Sequence, residues 1–172
     1  MSTFRNLCIG SLLFGTTLLT ACSESSATDS GSAAVEAKAS TIALDVYKSP
    51  TCGCCTSWVE HAQTHGFTSS IHHADNLNAI KDEHGIAANM RSCHTAVSKE
   101  GYVFEGHVPA KLVKRFLAAP PEGALGLAVP GMPLGSPGME MGDRFQAYPV
   151  VLLNKDGSFQ LYEKIEQPSQ QY

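Results

Sequence analysis

The chain has no basic block. Its 172 residues carry 12 Lys and Arg against 16 Asp and Glu, a formal net charge of -4. Nucleic acid is therefore not an expected partner, because neutralising phosphates requires clustered Lys and Arg. The apolar stretch from Leu7 to Leu19 falls short of the roughly 20 residues a bilayer-spanning helix needs. The scattered cysteines of a disulfide-stapled domain are missing as well. Of six cysteines, Cys52, Cys54 and Cys55 fall within four residues. Closing so short a loop removes little chain entropy, which argues against simple stapling.

The N-terminal stretch has the layout of an export signal. Arg5 precedes the apolar run, and Leu19-Thr20-Ala21-Cys22 closes it in the manner of a lipobox, whose cysteine becomes the lipidated first residue of the mature chain. Ser23 fits outer-membrane sorting. A plain secretory signal with a chance cysteine is the alternative. The expected organisation is a signal peptide over 1–21, a lipidated tether over 22–40 and a folded domain over 41–166. The tether is rich in Ser, Ala, Thr, Gly and Glu and has few large apolar side chains to offset its ordering entropy. The expected location is the periplasmic side of a Gram-negative outer membrane, with lipid as the only membrane contact.

The domain reads as alternating elements. Ile42–Tyr47 has the pattern of a buried strand, stopped at Ser49-Pro50. Trp58, Val59, Ala62 and His65 recur at helical spacing, and Gly66 ends that helix. Ser69–His73 forms a second strand. Asp75 or Asn76 caps a helix through about His84, with Leu77, Ile80 and Lys81 on one side. Thr95–Ser98 and Tyr102–Glu105 flank the hairpin signal Lys99-Glu100-Gly101. Pro109 opens a third helix with Leu112, Val113, Phe116 and Leu117 as its apolar face.

This order, β-α-β-α-β-β-α, is that of the thioredoxin fold, so the expected class is α/β and thioredoxin-like. Residues 123–142, rich in Gly, Pro and Met, read as an irregular loop. A hairpin of Val150–Leu153 and Phe159–Glu163 reads as an appended edge. Tyr148-Pro149-Val150-Val151 also resembles the proline strand of thioredoxins. The first hairpin is preferred because an amphipathic helix follows it directly.

Cys52 and Cys55 make a C-x-x-C pair where the first strand turns into the first helix. Free amide N–H groups at a helix N-terminus favour anions, and thiolate is both nucleophile and metal ligand. Disulfide exchange needs only the outer pair, so Cys54 between them points towards ligation. In this fold Cys93, in the loop entering the third strand, lies beside the motif. His94 adjoins it, and His107 sits just before the third helix.

Soft sulfur ligands select Cu(I) or zinc, and Met132, Met139 and Met141 in their Gly/Pro contexts favour copper. Met90 reads as gap-filling core, Trp58 as packing, and His61, His65 and His84 as helix surface. Two rivals stand beside copper. One is a thiol-disulfide oxidoreductase in which Cys52 attacks and Cys55 resolves; the other is a four-thiolate zinc scaffold.

Four motifs in order, Ser49-Pro50-Thr51-Cys52-Gly53-Cys54-Cys55, Ser92-Cys93-His94-Thr95-Ala96, Glu105-Gly106-His107-Val108-Pro109-Ala110 and Gly131-Met132-Pro133-Leu134-Gly135-Ser136-Pro137-Gly138-Met139-Glu140, resemble the CopG-type copper-resistance proteins of the Gram-negative periplasm. The resemblance runs from about Leu44 to Tyr162. It implies a thioredoxin-like domain holding a cysteine-bridged, multinuclear Cu(I) cluster on Cys52, Cys54, Cys55 and Cys93, with Cu(I)/Cu(II) conversion and periplasmic copper-transfer proteins as expected partners. His94, His107 and the loop methionines follow as further ligand candidates.

Overall fold

A computed structural model describes residues 41–172. The expected signal peptide, the lipidation site Cys22 and the tether lie outside the described residues. The chain there is a mixed α/β structure around one seven-stranded sheet. β1 (Ile42–Lys48) leads into α1 (Gly53–Thr64), then β2 (Phe67–His73) and α2 (Leu77–Glu83). After a single 3-10 turn at Ala88–Met90 come β3 (His94–Ser98), β4 (Val103–Glu105) and α3 (Ala110–Ala118). β5 (Ala124–Ala128), β6 (Tyr148–Asn154), β7 (Phe159–Ile165) and a 3-10 turn at Pro168–Gln170 complete the order. Among the described residues no helix is long and apolar enough to cross a membrane.

The strands lie in the order β2-β1-β3-β4-β5-β6-β7. β1 pairs parallel with β2 and antiparallel with β3, so the first hairpin lies beside the strand that carries the cysteine motif. Side chains alternate across the sheet, as the pleat requires. Val46, Ala96, Phe104, Leu127 and Leu152 meet Trp58, Val59 and Ala62 of α1 and Leu112, Val113 and Phe116 of α3. Val97, Val103, Ala128, Val151 and Leu153 form a second core with Ile86 and Met90. The sheet is thus covered on both faces.

Local rules account for the helix ends. Asn76 caps α2 by accepting from the Ala79 N–H. Pro109 is the residue before the first turn of α3, and Leu112, Val113 and Phe116 are buried as the spacing requires, with Leu117 only partly covered.

Three expectations need correction. Residues 123–142 are not wholly irregular: Ala124–Ala128 forms β5, parallel to β4 and antiparallel to β6. Gly126, one of the glycines that give this stretch its loop-like composition, is what permits this pairing. A Cβ there would meet the Val103 carbonyl oxygen at 1.8 Å. The C-terminal hairpin does end in an edge strand, but β5 makes it continuous with the main sheet. His61 is not helix surface: it is 9% exposed, and its Nε2 accepts the Ala110 N–H at the start of α3.

The chain past Glu166 also packs on the domain. Gln171 is 1% exposed. Its side chain accepts from the Tyr148 hydroxyl and donates to the Gly135 carbonyl.

Candidate metal centre

The motif enters α1 at the end of β1. The Cys52 N–H donates to the Ser49 carbonyl, which closes the turn, and Cys52 occupies the N-cap position with no side-chain cap bond. The sulfurs are therefore held where the first-turn amides lack helical partners. Cys52 and Cys55 are joined by a disulfide, and Cys54 and Cys93 are free thiols. Cys55 is fully buried, with its sulfur 3.7 Å from the Cys93 carbonyl oxygen. Cys54 Sγ lies 3.4 Å from Cys52 Sγ. The loop entering β3 brings Cys93 to the same place, so the sulfurs of Cys52, Cys54, Cys55 and Cys93 all lie within 4.8 Å of one another.

Cys93 belongs to a second group as well. Its sulfur is 3.3 Å from His94 Nδ1 and 3.1 Å from His107 Nε2. One ligand atom from each of the three residues falls within a common 4.8 Å. Both imidazoles are fully buried and meet edge to face, and His94 also packs on the ring of Trp58. His107 Nδ1 lies 2.8 Å from the Pro137 carbonyl. A carbonyl only accepts, so Nδ1 carries the proton and the Nε2 lone pair faces the Cys93 sulfur.

The electrostatics keep these groups neutral. Burial, then the neighbouring Cys54, pushes the Cys93 thiol up to about 12. Burial first, then the neighbouring His107, Lys81 and Lys48, holds His94 well below the usual imidazole range. Burial also lowers His107, against the opposing effects of the Pro137 carbonyl and Glu140. Neutral imidazoles keep the lone pairs that ligation needs, whereas Cys93 must lose its proton on binding a metal.

The loop after β5 encloses one side of the centre. The Ser92 hydroxyl donates to the Gly131 carbonyl, and Pro137 holds His107. Gly138 touches the motif helix: a Cβ there would lie 2.6 Å from the Cys54 carbonyl oxygen and 2.7 Å from the Trp58 nitrogen. Its φ of +85° is also one that other residues rarely adopt.

The loop methionines are distributed along this segment. Met139 follows Gly138 and is partly covered, while Met132 and Met141 are 55% and 52% exposed. Met141 sulfur accepts from Arg144. Pro137 and Gly138 were not among the sequence candidates, although Ser136-Pro137-Gly138 carries a clear turn signal. Their contribution is made by the backbone. Trp58 packs as expected, fully buried, and its Nε1–H donates to the Val108 carbonyl.

The donor chemistry fits a soft metal. Four sulfurs and two neutral imidazoles converge on one place, and one buried nitrogen, His94 Nε2, has no hydrogen-bond partner.

Fold and site together define a mixed α/β protein with a cysteine-rich centre able to hold metal. Residues 90–139 match the family described as protein of unknown function DUF411. The chain is also similar to two solved structures titled copper resistance protein CopG, form 1 and form 2. Identities are 41% and 40% and TM-scores 0.68 and 0.69, over 73% of this chain and 98% of each of the others. No curated protein matches the chain by sequence. By the extent and identity of these matches, the chain belongs to the CopG copper-resistance protein family.

Proposed function

We propose that the protein binds copper on the periplasmic side of the cell and contributes to copper resistance. Its reduced thiolates take up Cu(I) as a multinuclear cluster. The observation that carries this reading is the convergence of four cysteine sulfurs with His94 and His107 around Cys93. Thiolate bridges let several Cu(I) ions share few sulfurs, and soft sulfur prefers Cu(I) to harder ions. The strand order β2-β1-β3-β4, with the motif between β1 and α1, supports a thioredoxin-like reading of the first seven elements. Met132, Met139 and Met141, on the loop that also carries Pro137 and Gly138, are the further soft-ligand candidates.

The disulfide between Cys52 and Cys55 supplies a redox counterpart. Oxidising those two thiolates to a disulfide releases two electrons, which is what two Cu(II) ions need to become two Cu(I). The reverse step oxidises two Cu(I) and, with two protons, restores two thiols. Among the described residues of the oxidised chain, only Cys54 and Cys93 remain as thiols, so copper capacity falls.

The test is Cu(I) loading of the chain before and after reduction of this disulfide. The reading requires loading to rise on reduction, and equal loading in both states would refute the coupling. Thiol-disulfide exchange is the competing activity, because the C-x-x-C pair is formed and bonded. Insulin reduction that proceeds at full rate without copper would favour it. Lipid attachment at Cys22 is proposed alongside. Fatty-acid labelling should be lost in Cys22→Ala, and persistence of label would contradict it.

A further inference from the structure

Next to the centre lies a buried ion pair that the copper reading does not use. Lys81, on α2, and Glu105, the last residue of β4, are 2% and 0% exposed. Lys81 Nζ lies 2.5 Å from Glu105 Oε1 and also donates to the Thr95 hydroxyl at 2.9 Å. The Thr95 hydroxyl donates in turn to Glu105 Oε2 at 2.6 Å. Glu105 Oε1 accepts one more bond, from the backbone N–H of Ser92, at 2.6 Å. Main-chain bonds tighten the same junction: Gly106 N–H donates to the His94 carbonyl, and Val129 N–H to the Glu105 carbonyl.

As a stabilising device this pair is a poor choice. Buried ion pairs are commonly matched or exceeded by apolar residues of similar volume. Its placement points to another use. Ser92 immediately precedes Cys93, Thr95 immediately follows His94, and Glu105 is two residues before His107. Cys93, His94 and His107 thus all branch from segments fixed to one carboxylate. Lys81 supplies the charge that allows this carboxylate to stay buried, and it comes from an element that carries no ligand.

We propose that Glu105, anchored by Lys81, is the positioning residue of the centre: by accepting the Ser92 N–H it fixes Cys93 against His94 and His107. The placement of Cys93 stands on geometry alone. Its consequence for copper rests on the function proposed above. Outer partners of this kind set metal affinity through ligand orientation, and their loss costs roughly 10- to 100-fold.

Two variants separate positioning from stability. The double variant Lys81→Met with Glu105→Leu removes both charges together and leaves the Ser92 N–H without its acceptor. Glu105→Gln keeps an acceptor oxygen for that N–H but strips Lys81 of its counter-charge. The full chain would be followed by thermal melting, by alkylation at fixed pH read at the Cys93 peptide by mass spectrometry, and by Cu(I) competition against a chelator. The double variant should melt above Glu105→Gln, because it strands no buried charge, yet label several-fold faster at Cys93 than either other protein and bind Cu(I) roughly 10- to 100-fold more weakly. Glu105→Gln should melt lower yet label at the parent rate while folded.

If labelling and affinity simply track melting temperature across the three proteins, the pair is only a stability element and the proposal is overturned. If the double variant does not fold, Glu105→Gln decides alone: parent labelling with lowered melting supports positioning, and labelling raised in step with lost stability refutes it. A parent chain that takes up no Cu(I) would end the copper reading, and the alkylation result would still judge Glu105.

Discussion

Cys93 belongs to both groups of side chains that could hold a metal, and burial favours its protonated thiol. With its thiol pushed up to about 12, every metal ion it takes must expel a proton across the physiological range. Below that value the apparent affinity of any step using Cys93 should fall about tenfold for each pH unit of acidification. Cu(I) competition between pH 8 and pH 6 should therefore show a steeper pH slope in the parent than in Cys93→Ser, by one proton. Identical slopes would mean that Cys93 is not a ligand.

His61 illustrates a different use of a buried imidazole. Burial, with a smaller contribution from His65, lowers it from 6.5 to about 4, so it stays neutral while accepting the Ala110 N–H. Between those two pH values the unfolded chain holds more protons than the folded one. The associated stability is therefore complete above pH 6.5 and is lost as pH falls towards 4, by about 3 kcal/mol in full. His61→Gln should flatten the denaturation profile over that window, and an unchanged profile would contradict the assignment.

Among the elements, the loop between β5 and β6 matters most to the site. It works through its backbone: the Pro137 carbonyl sets the tautomer of His107, and Gly138 lies against α1 at the Cys54–Trp58 turn. The C-terminal segment pins this loop through Gln171, which bridges Tyr148 and Gly135. Gly138→Ala forces a Cβ into main-chain atoms at a left-handed φ. It should cost about 1–3 kcal/mol in denaturant unfolding and weaken Cu(I) binding through His107. Gln171→Ala should cost a similar amount, about 1–3 kcal/mol, because it leaves two buried groups unpaired. Wild-type stability in both would show that the loop is not held as described.

The legibility of the chain divides along the same line. Strands and helices with regular apolar spacing, such as β1, α1 and α3, could be read directly because burial imposes that spacing. β5 could not, since a Gly in a five-residue strand looks like a break until its partner's carbonyl is placed against it. Cys52, Cys54, Cys55 and Cys93 could be named from residue type and fold order. The buried state of His61, and the roles of Pro137, Gly138 and Glu105, depend on contacts between distant segments that no local pattern encodes.

For the whole molecule, the sheet brings three separated segments to one end of β1: the motif turn, the Cys93-His94 loop and the β4–α3 junction with His107. The disulfide then sets how many thiols that meeting point offers. Cys54→Ser should reduce copper loading more than it reduces disulfide exchange, because exchange needs only Cys52 and Cys55. Equal loss of both activities would remove the argument for a third thiol in ligation.

The most direct test of the central claim is an anaerobic Cu(I) titration of the fully reduced chain, with bound metal counted per molecule in the parent and in Cys93→Ser. More than one tightly held Cu(I) per parent chain is expected, with loss of that cluster in Cys93→Ser. A parent that holds no tight Cu(I), or a variant that loads as well as the parent, would contradict it.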